Sequence, residues 1–163
     1  MTPEYKAKRT YNTALLLAKA ETPDLEKVSK LLATAAKLGS HEANYALATW
    51  YLHGKHFKLN FPKAVVFLKR AAKSGNGEAC SDLAICYETG SGVKKNMQRA
   101  FELYLEAALR DEISAYREVA RCFWHGYGIE KNRTLARLWG ELHKTKSLKF
   151  EKGLKPPSTS PRV

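Results

Sequence analysis

Arg117 and Arg121 stand four residues apart, with Trp124 and His125 one turn further on. At that spacing the two guanidinium groups share one face of a helix. They are suited to gripping a carboxylate or an acidic chain segment in forked geometry. An exposed tryptophan beside an arginine is the anchor that binding interfaces favour. This chemistry is recognition. Catalysis would need converging nucleophiles, bases or metal ligands, and the histidines His41, His53, His56, His125 and His143 form no pair at useful spacing. His53 and His125 hold equivalent places with a unit between them, and a glycine turn separates His53 from His56. H-E-x-x-H, P-loop and G-x-S-x-G patterns are absent. Cys80, Cys86 and Cys122 show no C-x-x-C spacing and read as small, semi-buried thiols in a reducing compartment. The expectation is therefore a non-enzyme with no catalytic residue, no metal and no cofactor.

The elements that position these side chains repeat. Ala43, Ala79 and Ala115 step by 36 residues, as do Tyr51, Tyr87 and Phe123, and Gly54, Gly90 and Gly126. Asp24, Asn60, Asn96 and Asn132 keep the same step. Such a period marks an array of stacked supersecondary units, each unable to bury its apolar face alone. In the unit from Ala79, the apolar set Ala79, Leu83, Ala84 and Tyr87 makes one helical face. A glycine turn follows at Thr89-Gly90-Ser91-Gly92, and Asn96 stands where a helix N-cap belongs. Ala100, Leu103, Tyr104, Ala107 and Ala108 make the face of a second helix. The prediction is an all-α solenoid of about four helix-turn-helix units, near 5–40, 41–76, 77–112 and 113–145. The first unit is a variant without the double-glycine turn. At the far end His143 and Lys144 replace the alanine pair, which caps the stack. Residues 146–163 are expected to be a basic, proline- and serine-containing flexible tail.

The pattern A-x-x-x-L-[GA]-x-x-Y-x-x-G-x-G-V, followed by Asn/Asp, then K/R-A and later A-A, resembles the Sel-1-like repeat, a relative of the tetratricopeptide repeat. Ala79, Leu83, Ala84, Tyr87, Gly90, Gly92, Val93, Asn96, Arg99, Ala100, Ala107 and Ala108 carry the fullest match. The resemblance covers roughly residues 5–145. It implies an α/α solenoid whose first helices line a concave face, and adaptor or scaffold roles in bacterial or organellar signalling and assembly. Some bacterial members are secreted and carry paired cysteines in each repeat, which this chain lacks.

Tetratricopeptide geometry places on the concave face the residues between the packing positions of each first helix. The candidate partner-binding set is Tyr45, Thr49 and His53, then Ile85 and Glu88, then Arg117, Arg121, Trp124 and His125. The chain carries a net charge of +12. The excess is uneven, with residues 43–78 at +5, residues 79–114 at −2 and residues 115–163 at +7. A basic field accelerates encounter with acidic partners. The reading is a protein-interaction module that docks an acidic protein or peptide, such as a bacterial adaptor or a toxin-immunity protein. The alternative is a nucleic-acid-binding accessory protein, against which the acidic stretch 79–114 counts as a break in any phosphate track. No stretch is long and apolar enough to span a membrane. Met1 to Lys6 lacks an apolar targeting core, so if Met1 is the start the expected compartment is the cytoplasm. Partner identity and oligomeric state are not legible.

Overall fold

The computed structural model describes residues 2–151. Within them the chain forms eight α-helices and no strand. They are α1 (Pro3–Ala18), α2 (Leu25–Lys37), α3 (His41–His53), α4 (Phe61–Lys73), α5 (Gly77–Thr89), α6 (Met97–Leu109), α7 (Ile113–His125) and α8 (Arg133–Glu151). Consecutive helices pack pairwise as hairpins, and each hairpin packs on the next. The result is the expected all-α solenoid.

Local chemistry sets the helix ends. Asp24, Asn60, Asn96 and Asn132 each accept a hydrogen bond from the backbone N–H three residues on, at 2.9–3.0 Å. These caps satisfy donors that the first turn leaves orphaned. The turns that precede α4, α6 and α8 close identically, with the N–H of Asn60, Asn96 and Asn132 donating to the carbonyls of Tyr51, Tyr87 and Phe123.

The two glycines of each full turn do different work. The first ends its helix in the left-handed conformation. The second lets one unit press on the one before it. A Cβ on Gly92 would lie 2.4 Å from the carbonyl carbon of Phe61, and one on Gly128 would lie 2.0 Å from the carbonyl oxygen of Met97. In the second unit His56 takes this place and packs edge-on to Trp50 instead. Its upstream neighbour is the variant unit, whose turn is built differently.

The core is alanine-lined, with larger side chains between layers. Ala43, Ala79 and Ala115 are fully buried, as are Leu68 and Leu103. Phe67 packs on both the N-terminal and the central cluster and so joins them. Trp139 and Tyr11 pack against these clusters, in core rather than functional positions.

The C-terminal end departs from the expected boundary at residue 145. α8 continues through Glu151, because Lys146 pairs with Asp111 and also sits over the Tyr116 ring. His143, in the place of the alanines, has Nδ1 3.0 Å from the Ile113 carbonyl oxygen. Lys144, Lys146 and Lys149 therefore lie on a helix. The remainder of the expected tail, with Lys152 and Lys155, lies outside the described residues.

Candidate interaction face and its braces

The predicted positions lie on the first helix of each full unit (α3, α5, α7) and fall into two groups by exposure. Ile85, Trp124, Arg117, His53 and His125 are exposed. Tyr45, Thr49, Glu88 and Arg121 are half-buried and already have partners. The Tyr45 hydroxyl donates to Asp82 Oδ2 at 3.1 Å, bridging α3 and α5. Thr49 Oγ1 donates to the Ala46 carbonyl of its own helix. Arg121 Nη2 donates to Glu88 Oε2 at 2.7 Å, bridging α7 and α5, while its Nε donates to Glu118 at 2.8 Å. Glu88 also accepts from the Tyr104 hydroxyl at 2.9 Å.

This arrangement corrects the expected Arg117–Arg121 fork. Arg121 spends its planar donors on Glu88 and Glu118, and its guanidinium sits 5.4 Å from the Tyr127 ring centroid. Arg117 alone projects into solvent, with only a 3.3 Å contact to Glu118. Glu88 is likewise an inter-unit brace.

The electrostatics follow from these contacts. Burial would raise the Glu88 carboxyl, but hydrogen bonds from Arg121 and Tyr104 outweigh it and hold the group below its ordinary range. Burial, and then the charge of Asp82, push the Tyr45 hydroxyl upward. Asp82 is raised mainly by burial, and Glu78 by burial and then the neighbouring Glu112 and Asp82. Carboxylates thus stand between the first helices, with Asp82 at the α3–α5 boundary and Glu88 at the α5–α7 boundary. Asp82 and Glu118 occupy one repeat position, 36 residues apart.

At the C-terminal end of α7 the exposed side chains form a layered cluster. The Arg133 guanidinium lies 4.8 Å from the Trp124 ring centroid, and His125 stacks on Tyr127 at 5.1 Å. Trp124 keeps 40% of its surface open, and Ile85 one unit upstream keeps 49%. Trp124 and His125 belong to the set read from the sequence, whereas their packing partners Arg133 and Tyr127, in the next helix and the turn, do not.

The five histidines are dispersed: His56 lies on Trp50, His125 on Tyr127, His143 at Ile113, His41 beside Glu42, and His53 is exposed at the end of α3. Among the described residues, no three His, Cys, Asp or Glu side chains come together as metal ligands. A cleft of about 680 Å³ lies between Glu78, Asp111, Glu112, Ile113 and the end of α8. Its lining is mainly carboxylate, with Ser147 and Phe150 from α8. All three cysteines are buried free thiols, and burial pushes Cys86 and Cys122 up to about 11.

A stack of helical hairpins joined by side-chain bonds across unit boundaries defines an α/α solenoid. The Sel1 repeat profile matches residues 41–76, 77–112 and 113–142, and the chain belongs to the Sel1 repeat family. Members of this family generally mediate protein–protein interaction and typically act as non-catalytic scaffolds. No curated protein sequence matches the chain significantly. Among solved structures, it resembles a Sel1 repeat protein from Oxalobacter formigenes, with 21% identity and a TM-score of 0.78, over 86% of this chain and 58% of that one. It also resembles a protective antigen of uropathogenic Escherichia coli with an SLR fold, with 23% identity and a TM-score of 0.81, over 91% of this chain and 34% of that one. A third likeness is to the Helicobacter pylori cysteine rich protein B, with 23% identity and a TM-score of 0.60, over 68% and 86% of the two chains. At these identities the likeness is one of fold. The chain spans little more than half of the first of these proteins and about a third of the second. No described helix is long and apolar enough to cross a membrane.

Proposed function

We propose that the chain is a non-catalytic protein-interaction module whose partner lies across the exposed side of α3, α5 and α7, anchored on Trp124 and Ile85. The observation that carries this reading is the division of labour on that face. The polar side chains that would otherwise need ordering on binding, Tyr45, Glu88 and Arg121, are held between units. The large apolar side chains beside them stay open to solvent. A preordered surface with an exposed tryptophan is the arrangement that binding hot spots use, because less entropy is lost on docking.

Arg117, exposed two turns before Trp124 on α7 and held only by its contact with Glu118, is the group for an acidic residue of the partner. The other expected contacts, Thr49, His53 and His125, border the same side. An acidic segment or globular partner would meet this single free guanidinium and not a fork. The more specific form, a bacterial adaptor or a toxin-immunity protein in the cytoplasm, is supported by the family resemblance alone. The test uses a partner identified by mass spectrometry from the native host and then purified. In calorimetric titration, Trp124→Ala should weaken binding about 30-fold or more, the usual cost of losing a hot spot. Ile85→Ala should weaken it less, and circular dichroism should be unchanged for both. Unaltered affinity for both variants rejects this face.

A further inference from the structure

Positive charge gathers along one edge of the solenoid, although Lys37, Arg70 and Lys73 close α2 and α4 towards the other edge and Glu130 stands beside Lys131. One edge of the solenoid carries the turns that lead into α4, α6 and α8. Lys55, Lys58 and Lys63 lie on the first, Lys94, Lys95 and Arg99 on the second, and Lys131 and Arg133 on the third. All eight are exposed. Among the described residues only Arg99 of the eight has an ion pair, with Glu102. The opposite edge carries Glu42 and Glu78 in the first turns of α3 and α5, and Glu112 as the cap of α7.

The helix termini on the basic edge strengthen this contrast. Helix N-termini carry partial positive charge and favour acidic side chains in the first turn. α1, α2, α3 and α5 follow that preference, with Glu4, Glu26, Glu42 and Glu78. α4, α6 and α8 have no acidic residue there, and their caps are neutral asparagines. Lys63, Arg99 and Arg133 occupy those first turns instead. Cations placed on positive helix ends cost stability in the free protein, and an anion laid along the edge would recover it.

The edge is also continuous. Gly92 rests against Phe61 and Pro62, and Gly128 against Met97 and Gln98, so each turn touches the start of the preceding second helix. With hairpins spaced by about 10 Å, three turns make a ridge about 20 Å long. Of the acidic residues of 79–114, which suggested a broken track, Glu88 lies near enough to Lys95 to feel its charge, but nearly all have partners outside the ridge lysines. Asp82 bonds to Tyr45, Glu88 to Arg121, Glu106 to Arg110 and Asp111 to Lys146, while Glu112 caps α7. Glu102 is held by Arg99 at 2.7 Å.

We propose that this ridge binds a single-stranded nucleic acid, without sequence preference. Phosphates lie along Lys58, Lys94, Lys95 and Lys131 above the helix N-termini, and bases rest on the exposed ring of Tyr127. Stacking on an aromatic face is available to every base and suits an unpaired strand. This binding does not rest on Trp124, Ile85 or Arg117, although the two surfaces adjoin where Arg133 lies over Trp124 and Tyr127 stacks on His125.

The test is fluorescence anisotropy of the full-length chain with a labelled oligonucleotide about 20 residues long. The competitors are a duplex of the same sequence and poly-glutamate. The triple variant Lys94→Ala, Lys95→Ala, Lys131→Ala should bind at least tenfold more weakly at low salt. Its log–log salt slope should be shallower by about 2, since each phosphate contact on a single strand contributes about 0.7. A control that removes equal charge from the second helices, Lys37→Ala, Lys69→Ala, Lys73→Ala, should stay within about twofold of the parent. The inference is overturned if the two triple variants weaken binding equally, which would make the effect one of net charge. It is overturned also if poly-glutamate or the duplex competes as well as the single strand, or if the parent does not bind at low salt.

Discussion

Arg121 on α7 reaches back across a unit boundary to Glu88 on α5, with Nη2 donating to Oε2 at 2.7 Å. The same carboxylate oxygen accepts from Tyr104, and the same guanidinium holds Glu118 through Nε. One half-buried ion pair thus ties two first helices and a second helix together. Tyr45 and Asp82 do the same for the preceding boundary. In a quasi-one-dimensional stack, contacts of this kind set the coupling between neighbours.

Replacing Arg121 by methionine should therefore destabilise the stack. Glu88 and Glu118 would keep their charge and lose their cation. Leaving a charged acceptor without its donor costs about 1–3 kcal/mol. Urea unfolding should show this loss, together with a broader transition as the fourth unit uncouples from the third. An unchanged midpoint would mean that solvent already satisfies Glu88.

The same pair predicts a pH dependence. The Glu88 carboxyl is held below its ordinary value, so the unfolded chain takes up its proton first as pH falls. Its contribution is fully present above the unfolded value of about 4.3. It disappears as pH falls through the lower, folded value. The stability gap between the parent and Arg121→Met should be widest near neutrality and should narrow below about pH 4. A gap that is flat from pH 7 to pH 3 would remove Glu88 from the account.

Gly92 and Gly54 separate two roles of turn glycines. Both have positive φ, +72° and +63°. A Cβ on Gly54 would meet nothing closer than 3.5 Å, whereas one on Gly92 would strike the Phe61 backbone at 2.4 Å. Gly54→Ala should cost about 1–2 kcal/mol, the ordinary penalty of the left-handed region. Gly92→Ala should cost clearly more, because two backbones must part. Equal losses in thermal unfolding would show that the boundary relaxes freely.

Most of the fold was legible because it rests on residues that recur. Asparagine at 60, 96 and 132 has a single use at that point of a hairpin, and alanine at 43, 79 and 115 marks where helices touch. The site was less legible because its character depends on side chains that meet across units. Arg121 was read by its spacing from Arg117 on one helix, but its fate was set by Glu88, 33 residues earlier and one turn offset in the preceding unit. Tyr45 and Asp82, 37 residues apart, show the same near-period spacing. Opposite charges or donor–acceptor pairs close to, but not at, the repeat length are the signal that row-by-row reading missed. The charge balance of 79–114 misled for a related reason. A sum over a unit has no direction, and most of those acids are engaged by Tyr45, Arg121, Arg110 and Lys146.

The cysteines offer a probe of stack opening. Cys80, Cys86 and Cys122 are buried, and burial raises all three thiols, Cys86 and Cys122 to about 11. At pH 8 a thiol with that value is about 0.1% thiolate, and thiolate is the reactive form. A disulfide reagent should leave the folded chain essentially unlabelled for hours and react with three thiols in denaturant. Fast labelling of one thiol in buffer would show that its unit opens locally.

Asp111 tests how α8 is fastened. It has φ +60°, where the two preceding units have Gly39 and Gly75. A non-glycine residue in that region carries a conformational cost, smaller for aspartate than for most. Asp111 offsets that cost by accepting from the Tyr116 hydroxyl and from Lys146 on α8. Two substitutions separate the contributions. Asp111→Ala keeps a Cβ in the left-handed region and loses both bonds, so it should destabilise most, by about 1–3 kcal/mol. Asp111→Gly loses the same bonds but relieves the backbone, so it should recover about 1 kcal/mol of that loss. In both variants, hydrogen exchange should quicken in the last turns of α8, beyond His143, while α5 and α6 keep their protection. If α8 exchanges at parental rates in both, the Lys146–Asp111 contact does not fasten the helix, and the His143 contact with Ile113 would be left to hold that end of the stack.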